Sequence, residues 1–163
     1  MSHFKMLILS LLLACTLPVT AANSDTAMYN PAIAKTLDAL HAAAASANWD
    51  AYFNQYTEDA IFIGTDAGER WDMPTFKGYA SKSKGWDYKL ENRHIVIGLN
   101  QNTAWFDEIL HNAKYGTSRG TGVLIRTKSG WKVTQYHLTF PIPNDLTKGI
   151  TEQIQSFEAK LKP

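Results

Sequence analysis

The chain has 163 residues, 45% hydrophobic, 19% charged and 12% aromatic, with 16 basic residues against 15 acidic ones and a formal net charge of +1. No Lys/Arg block offers the basic face that displacing nucleic-acid counterions requires, and a chain this apolar is not disordered. The length fits one domain, and the single cysteine, Cys15, excludes an intrachain disulfide framework and any cysteine-rich zinc site.

From the N-terminus, Met1 to Lys5 is short and basic, Met6 to Leu17 is nearly uninterrupted apolar sequence, Pro18 breaks it, and Val19-Thr20-Ala21 supplies small residues. This three-part layout is that of a secretory signal peptide, with cleavage expected after Ala21. The apolar run is shorter than the about 20 residues a bilayer-spanning helix needs, so no stable membrane span is expected. Leu12-Leu13-Ala14-Cys15 also resembles a bacterial lipobox, in which Cys15 would be lipidated and become the anchored N-terminus; Leu13 is bulky where that motif prefers a small residue. Simple export is therefore the expectation, giving a secreted or periplasmic chain 22–163. Loss of Lys5 and Cys15 leaves that chain formally neutral and free of cysteine, so an oxidising compartment does not threaten it.

Helices come first in the mature chain. Asn30-Pro31 is a capped start with proline in the first turn, followed by Ile33, Leu37, Leu40, Ala44 and Ala47 at helical spacing. A second helix is predicted to carry Trp49, Tyr52, Phe53 and Tyr56. Ile61-Phe62-Ile63 reads as a short strand stopped by Gly64, and Thr65 to Arg70 as a loop. Asp72 with Pro74 then opens a third helix bearing Phe76 and Tyr79.

After Gly85 the period changes from helix to strand. Trp86 to Leu99, Thr103 to His111, Thr117 to Thr127 and Trp131 to Phe140 are rich in β-branched and aromatic residues, and their short polar connections imply antiparallel neighbours. Pro141 and Pro143 end the last strand. Asp145 is read as the cap of a C-terminal helix, 145–162, whose Ile150, Ile154, Phe157 and Leu161 form one apolar stripe. The expectation is a single α+β domain with its core at about 31–143, helices closing one face of a strongly curved antiparallel sheet.

Trp49-Asp50-Ala51-Tyr52, Tyr56-Thr57-Glu58-Asp59-Ala60-Ile61-Phe62-Ile63-Gly64, and Gly130-Trp131-Lys132-Val133-Thr134-Gln135-Tyr136-His137-Leu138-Thr139 carry a resemblance. Over about Ile33 to Phe140 the chain resembles the SnoaL-like branch of the nuclear transport factor 2-like superfamily. The resemblance implies a cone, with a bent sheet wrapped around helices, a pocket at the open end and frequently a dimer through the outer sheet face. It says little about activity, because the superfamily holds isomerases, cyclases, dehydratases and oligomerisation modules.

Strand parity suggests where a pocket would lie. In the last strand the odd positions are Trp131, Val133, Gln135, His137 and Thr139, and the family pattern puts that set inside. A turn near Ala113 would set Asp107 beside Arg119 and Trp105 beside Thr121. A turn at Ser129 would bring Arg119 to Thr139 and Thr121 to His137. The expected site is thus Asp107, Arg119, Gln135 and His137, with Thr121, among Trp105, Trp131 and Phe62, and with Trp71 as a further wall.

Histidine beside a carboxylate moves protons near neutral pH, so His137 and Asp107 are the candidate catalytic pair, while Arg119 suits an anionic group or developing enolate. The same charges also suit a plain ion pair bracing the sheet. Three roles follow: an exported protein binding a small, partly apolar molecule, a cofactor-independent isomerase, cyclase or dehydratase, or an interaction module with a vestigial pocket. His41 and His94 read as surface or edge residues. No close His/His or His/Glu spacing supports a metal site, even with His111 on the parity of Asp107, and Gly120-Thr121-Gly122 lacks the third glycine of a dinucleotide loop. No cofactor is expected. The opposite parity, Tyr136, Leu138, Phe140, Phe106 and Leu110, is expected to form an apolar outer face buried in a homodimer, with the C-terminal helix adding to it.

Overall fold

The computed structural model describes residues 30–161, so the expected leader and Cys15 lie outside the described residues. Asn30 Oδ1 accepts from the backbone N–H groups of Ala32 and Ile33 at 3.0 and 3.2 Å, and α1 runs from there over Pro31–Ala45. Ile33, Leu37, Leu40 and Ala44 recur at helical spacing and are buried, which fixes the face that α1 lays on the sheet. The second helix, α2 (Trp49–Phe53), is capped by the Asn48 side chain and is shorter than its aromatic spacing predicts. Tyr56 is not its last apolar position but the first residue of β1 (Tyr56–Ile63).

A hairpin turns β1 into β2 (Arg70–Asp72), where a loop is predicted. Asp72 Oδ1 then caps α3 (Met73–Ala80) by accepting from Thr75 N at 2.9 Å. Four long strands follow: β3 (Lys89–Ile97), β4 (Thr103–Asn112), β5 (Gly116–Thr127) and β6 (Gly130–Thr139). The sheet order is β2-β1-β6-β5-β4-β3, antiparallel throughout except for the parallel pair β1 and β6. The result is the expected α+β architecture, with α1 to α3 closing the inner face of a curled six-stranded sheet.

Two local features move the register from the predicted one. The β4–β5 turn is a three-residue loop between Asn112 and Gly116, so Asp107 pairs with Thr121 and Trp105 with Val123, two residues away from the expected partners. Gly116, at φ +72, closes that loop in the left-handed region. In β6, Val133 pairs with Leu124 but Gln135 pairs with Val123, which leaves Thr134 as an extra residue. This bulge reverses the alternation. Trp131 and Val133 face the helices, and beyond the bulge Tyr136 and Leu138 do so in place of Gln135 and His137.

After a 3₁₀ turn at Asn144–Leu146, where a cap at Asp145 is predicted, α4 runs over Thr147–Leu161. Its stripe of Ile150, Ile154, Phe157 and Leu161 is 37%, 44%, 63% and 67% exposed. No helix among the described residues is long and apolar enough to cross a membrane.

Candidate functional site

The inner face of β4 alternates Ala104, Phe106, Glu108 and Leu110, all buried, so a carboxylate stands in the middle of the apolar surface. A buried charge must be matched. Glu108 Oε2 accepts from Arg93 Nε at 2.7 Å, across the β3–β4 pair, while Oε1 accepts from His41 Nε2 at 2.7 Å and from the Tyr136 hydroxyl at 2.8 Å. Arg93 reaches on to α1, donating through Nη1 to Asp38 Oδ1 at 2.7 Å and to the Ala34 carbonyl at 3.4 Å. The network therefore ties α1 to β3, β4 and β6.

Burial on its own would raise the Glu108 carboxyl, but the hydrogen bonds and charges of His41 and Arg93 outweigh it and hold the group below its ordinary value. Burial pushes the Tyr136 phenol well up, and the adjacent Glu108 charge pushes it further. Glu108 is thus an ionised acceptor facing three donors, and this fixes the proton of the histidine ring. Nε2 carries the hydrogen toward Glu108, so in the neutral ring Nδ1 is an acceptor. Nδ1 has no protein partner among the described residues, and the His41 side chain lines the cavity.

Two glycines make room for this network. A Cβ on Gly120 would collide with the Tyr136 hydroxyl and stand 2.9 Å from Glu108 Oε1, and one on Gly122 would stand 2.7 Å from the Phe106 ring. Gly120-Thr121-Gly122 is a clearing on the inner face, which explains glycines in the middle of a strand.

A cavity of about 270 Å³ lies between the helices and this inner face, with His41 and Tyr136 at its deep end. Its wall is a series of nearly parallel rings. Phe62 and Phe76 stack at 3.9 Å and 18°, Phe62 and Tyr136 at 6.1 Å and 3°, and Phe76 and Trp86 at 5.8 Å and 5°. Tyr79, Tyr115 and Phe140, each 40–51% exposed, form the mouth. Gly64 continues the inner face of β1 beyond Phe62, and the Glu69 side chain folds into the space a residue-64 side chain would fill. Glu69 Oε2 accepts from Asp66 N at 3.3 Å, while Oε1 has no protein partner among the described residues.

Of the residues predicted to form the site, Phe62 and Trp71 line this cavity. Asp107, Arg119, Gln135, His137, Trp105 and Thr121 stand on the outer face of the sheet, because the Thr134 bulge turns Gln135 and His137 outward and their cross-strand partners share that face; the two-residue shift between β4 and β5 changes partners but not faces. Thr121 does pair with His137 and Arg119 with Thr139, but away from the helices. Asp107 meets His94 Nδ1 at 3.0 Å instead of Arg119, both side chains being more than half exposed. The set predicted for the outer face, Tyr136, Leu138, Phe140, Phe106 and Leu110, faces inward, where it forms core and cavity wall. Sequence reasoning missed His41, Arg93, Glu108 and Tyr136. The available signal was Glu108 itself, sharing the parity of Phe106 and Leu110.

The model of the SnoaL-like domain matches residues 33–143. No curated protein matches the chain. Among solved structures, an NTF2-like protein of unknown function from Pseudomonas putida superposes with a TM-score of 0.57 at 12% identity, covering 69% of this chain and 86% of its own. A candidate ketosteroid isomerase from Shewanella frigidimarina gives 0.55 at 17% identity, covering 67% and 95%. A protein of unknown function with a cystatin-like fold from Nostoc punctiforme gives 0.56 at 10% identity, covering 67% and 88%. These likenesses agree on the cone fold, and with the match spanning α1 to the end of β6 the chain belongs to the SnoaL-like domain family.

Proposed function

We propose that this chain is an exported protein that binds a small, partly apolar molecule in the aromatic cavity. The observation that carries the reading is the wall of near-parallel rings leading to two polar atoms without protein partners among the described residues, His41 Nδ1 and Glu69 Oε1. Ligand sites combine mostly apolar walls with a few placed polar groups in this way. The export part rests on the leader read in residues 1–21. Its test is calorimetric titration with 2-naphthol, an apolar probe with one hydroxyl. The expected result is one site per chain, lost in Leu138→Trp, whose larger side chain fills the cavity, and kept in the outer-face variant His137→Ala. Binding that survives Leu138→Trp, or no binding at all, overturns the reading.

A second reading has its own support in the His41–Glu108 pair. A histidine held by an ionised carboxylate, with its ring in the wall of an aromatic cavity, is equipped for cofactor-independent proton transfer on a carbonyl compound. In this role His41, not His137, takes the proton at Nδ1 and returns it, while Glu108, not Asp107, steadies the resulting imidazolium. Deuterium exchange at the α-carbon of 2-tetralone, followed by NMR, checks it. Exchange above the buffer rate that is lost in His41→Gln supports catalysis, and exchange at the buffer rate refutes it.

The expected homodimer, displaced from the face first assigned to it, falls to the outer sheet face around Trp105 and Val96, which are 49% and 40% exposed.

A further inference from the structure

Resting on the binding reading above, we infer that the cavity selects ligands carrying a cationic ammonium group, seated against the aromatic rings beside Glu69. The argument counts what the lining offers. The lining holds one carboxylate among electron-rich rings, while the indole N–H groups of Trp71 and Trp86 are donors without a protein partner among the described residues. Glu69 Oε1 is a carboxylate oxygen without a partner among the described residues. The Tyr136 hydroxyl has spent its hydrogen on Glu108 and has only its oxygen left to offer.

The lining contains no lysine or arginine. Arg93, the nearest buried cation, is turned away into the Glu108 and Asp38 pairs and is not part of the wall. What remains is a set of electron-rich ring faces, to which an ammonium group is attracted when it lies within about 6 Å of a ring centroid. Lys114 holds its Nζ 4.7 Å from the centroid of Tyr115, so that ring of the mouth already carries a cation and the ligand's ammonium group is left to the rings farther along the wall.

Glu69 is also placed for this role by the backbone. Its carboxylate occupies the space above Gly64 on the inner face, next along the strand from Phe62, and a side chain at residue 64 would expel it. An anion at the edge of an aromatic wall, with no lysine or arginine in the lining, favours a ligand that brings its own positive charge.

The test compares choline with 3,3-dimethylbutan-1-ol, which has the same shape but a carbon in place of the quaternary nitrogen, by titration calorimetry on the purified chain. Choline is expected to bind about tenfold more tightly than the alcohol. Glu69→Gln should reduce that ratio to about threefold or less, and Glu69→Asp should restore part of it. Equal or tighter binding of the alcohol overturns the inference, as does a ratio that Glu69→Gln leaves intact. If neither probe binds while 2-naphthol does, the ammonium preference is refuted and the cavity reading stands. If 2-naphthol fails as well, both fall.

Discussion

Glu108→Gln tests the buried network directly. The substitution keeps the shape but removes the charge at a side chain with no solvent exposure, and it leaves Arg93, itself 6% exposed, without its buried anion. Breaking a buried pair by deleting one partner costs about 3–5 kcal/mol, since the remaining charge stays uncompensated. Three features of the structure place the cost at the lower end, about 3 kcal/mol. The amide oxygen can still accept from Arg93 Nε, Asp38 still neutralises Nη1, and the Tyr136 hydroxyl can rotate to accept from the new amide. Urea unfolding near neutral pH, followed by far-ultraviolet circular dichroism, measures this as a shift in midpoint at unchanged slope.

The pH dependence gives the sign. Because the folded-state carboxyl lies below its ordinary value of 4.5, its contribution is complete above that value and is lost as the pH falls through the depressed folded value. The gap between wild type and Glu108→Gln is therefore expected to close with acid, below about pH 4.5 and not above it. A loss under about 1 kcal/mol at neutral pH, or a gap that widens with acid, refutes the claim that Glu108 is an ionised, matched group.

Other outcomes follow from the same geometry. Gly120→Ala forces a methyl group against the Tyr136 hydroxyl and Glu108 Oε1, and should cost about 2 kcal/mol as overpacking; Tyr136→Phe in the same chain should recover part of it, which a double-mutant cycle in urea measures. Asn30→Ala removes the cap of α1 and should cost about 1 kcal/mol in the same assay. His137→Ala and Asp107→Ala, on the outer face, should each stay within about 0.5 kcal/mol of wild type and leave 2-naphthol affinity unchanged. Sedimentation velocity at micromolar concentration should show a dimer that Trp105→Glu dissociates, and a monomeric wild type refutes the outer-face association.

The sequence made the architecture legible because each element carries its own local physics. Asn30 and Asp72 cap helices with their side chains, the stripe from Ile33 to Ala44 has one period, and the four long strands have another. The candidate site was legible only in part, and the reason is specific. A strand's alternation propagates error: one extra residue exchanges its faces, and nothing in Val133-Thr134-Gln135 announces a bulge, since threonine suits a paired and a bulged position equally. Counted from Trp131, the alternation therefore puts His137 and Gln135 inside and Tyr136 and Leu138 outside. β4 held the correction. Glu108 lies between Phe106 and Leu110 on the parity read as apolar, and a carboxylate at such a position demands a cation, a histidine or a tyrosine opposite it. Arg93 stands opposite on the neighbouring β3, Tyr136 reaches across Gly120 of β5 from β6, and His41 shares the α1 face of Leu37 and Ala44. In a cone built from one apolar face, the charge that breaks the pattern is thus a stronger guide to orientation than the apolar residues that follow it.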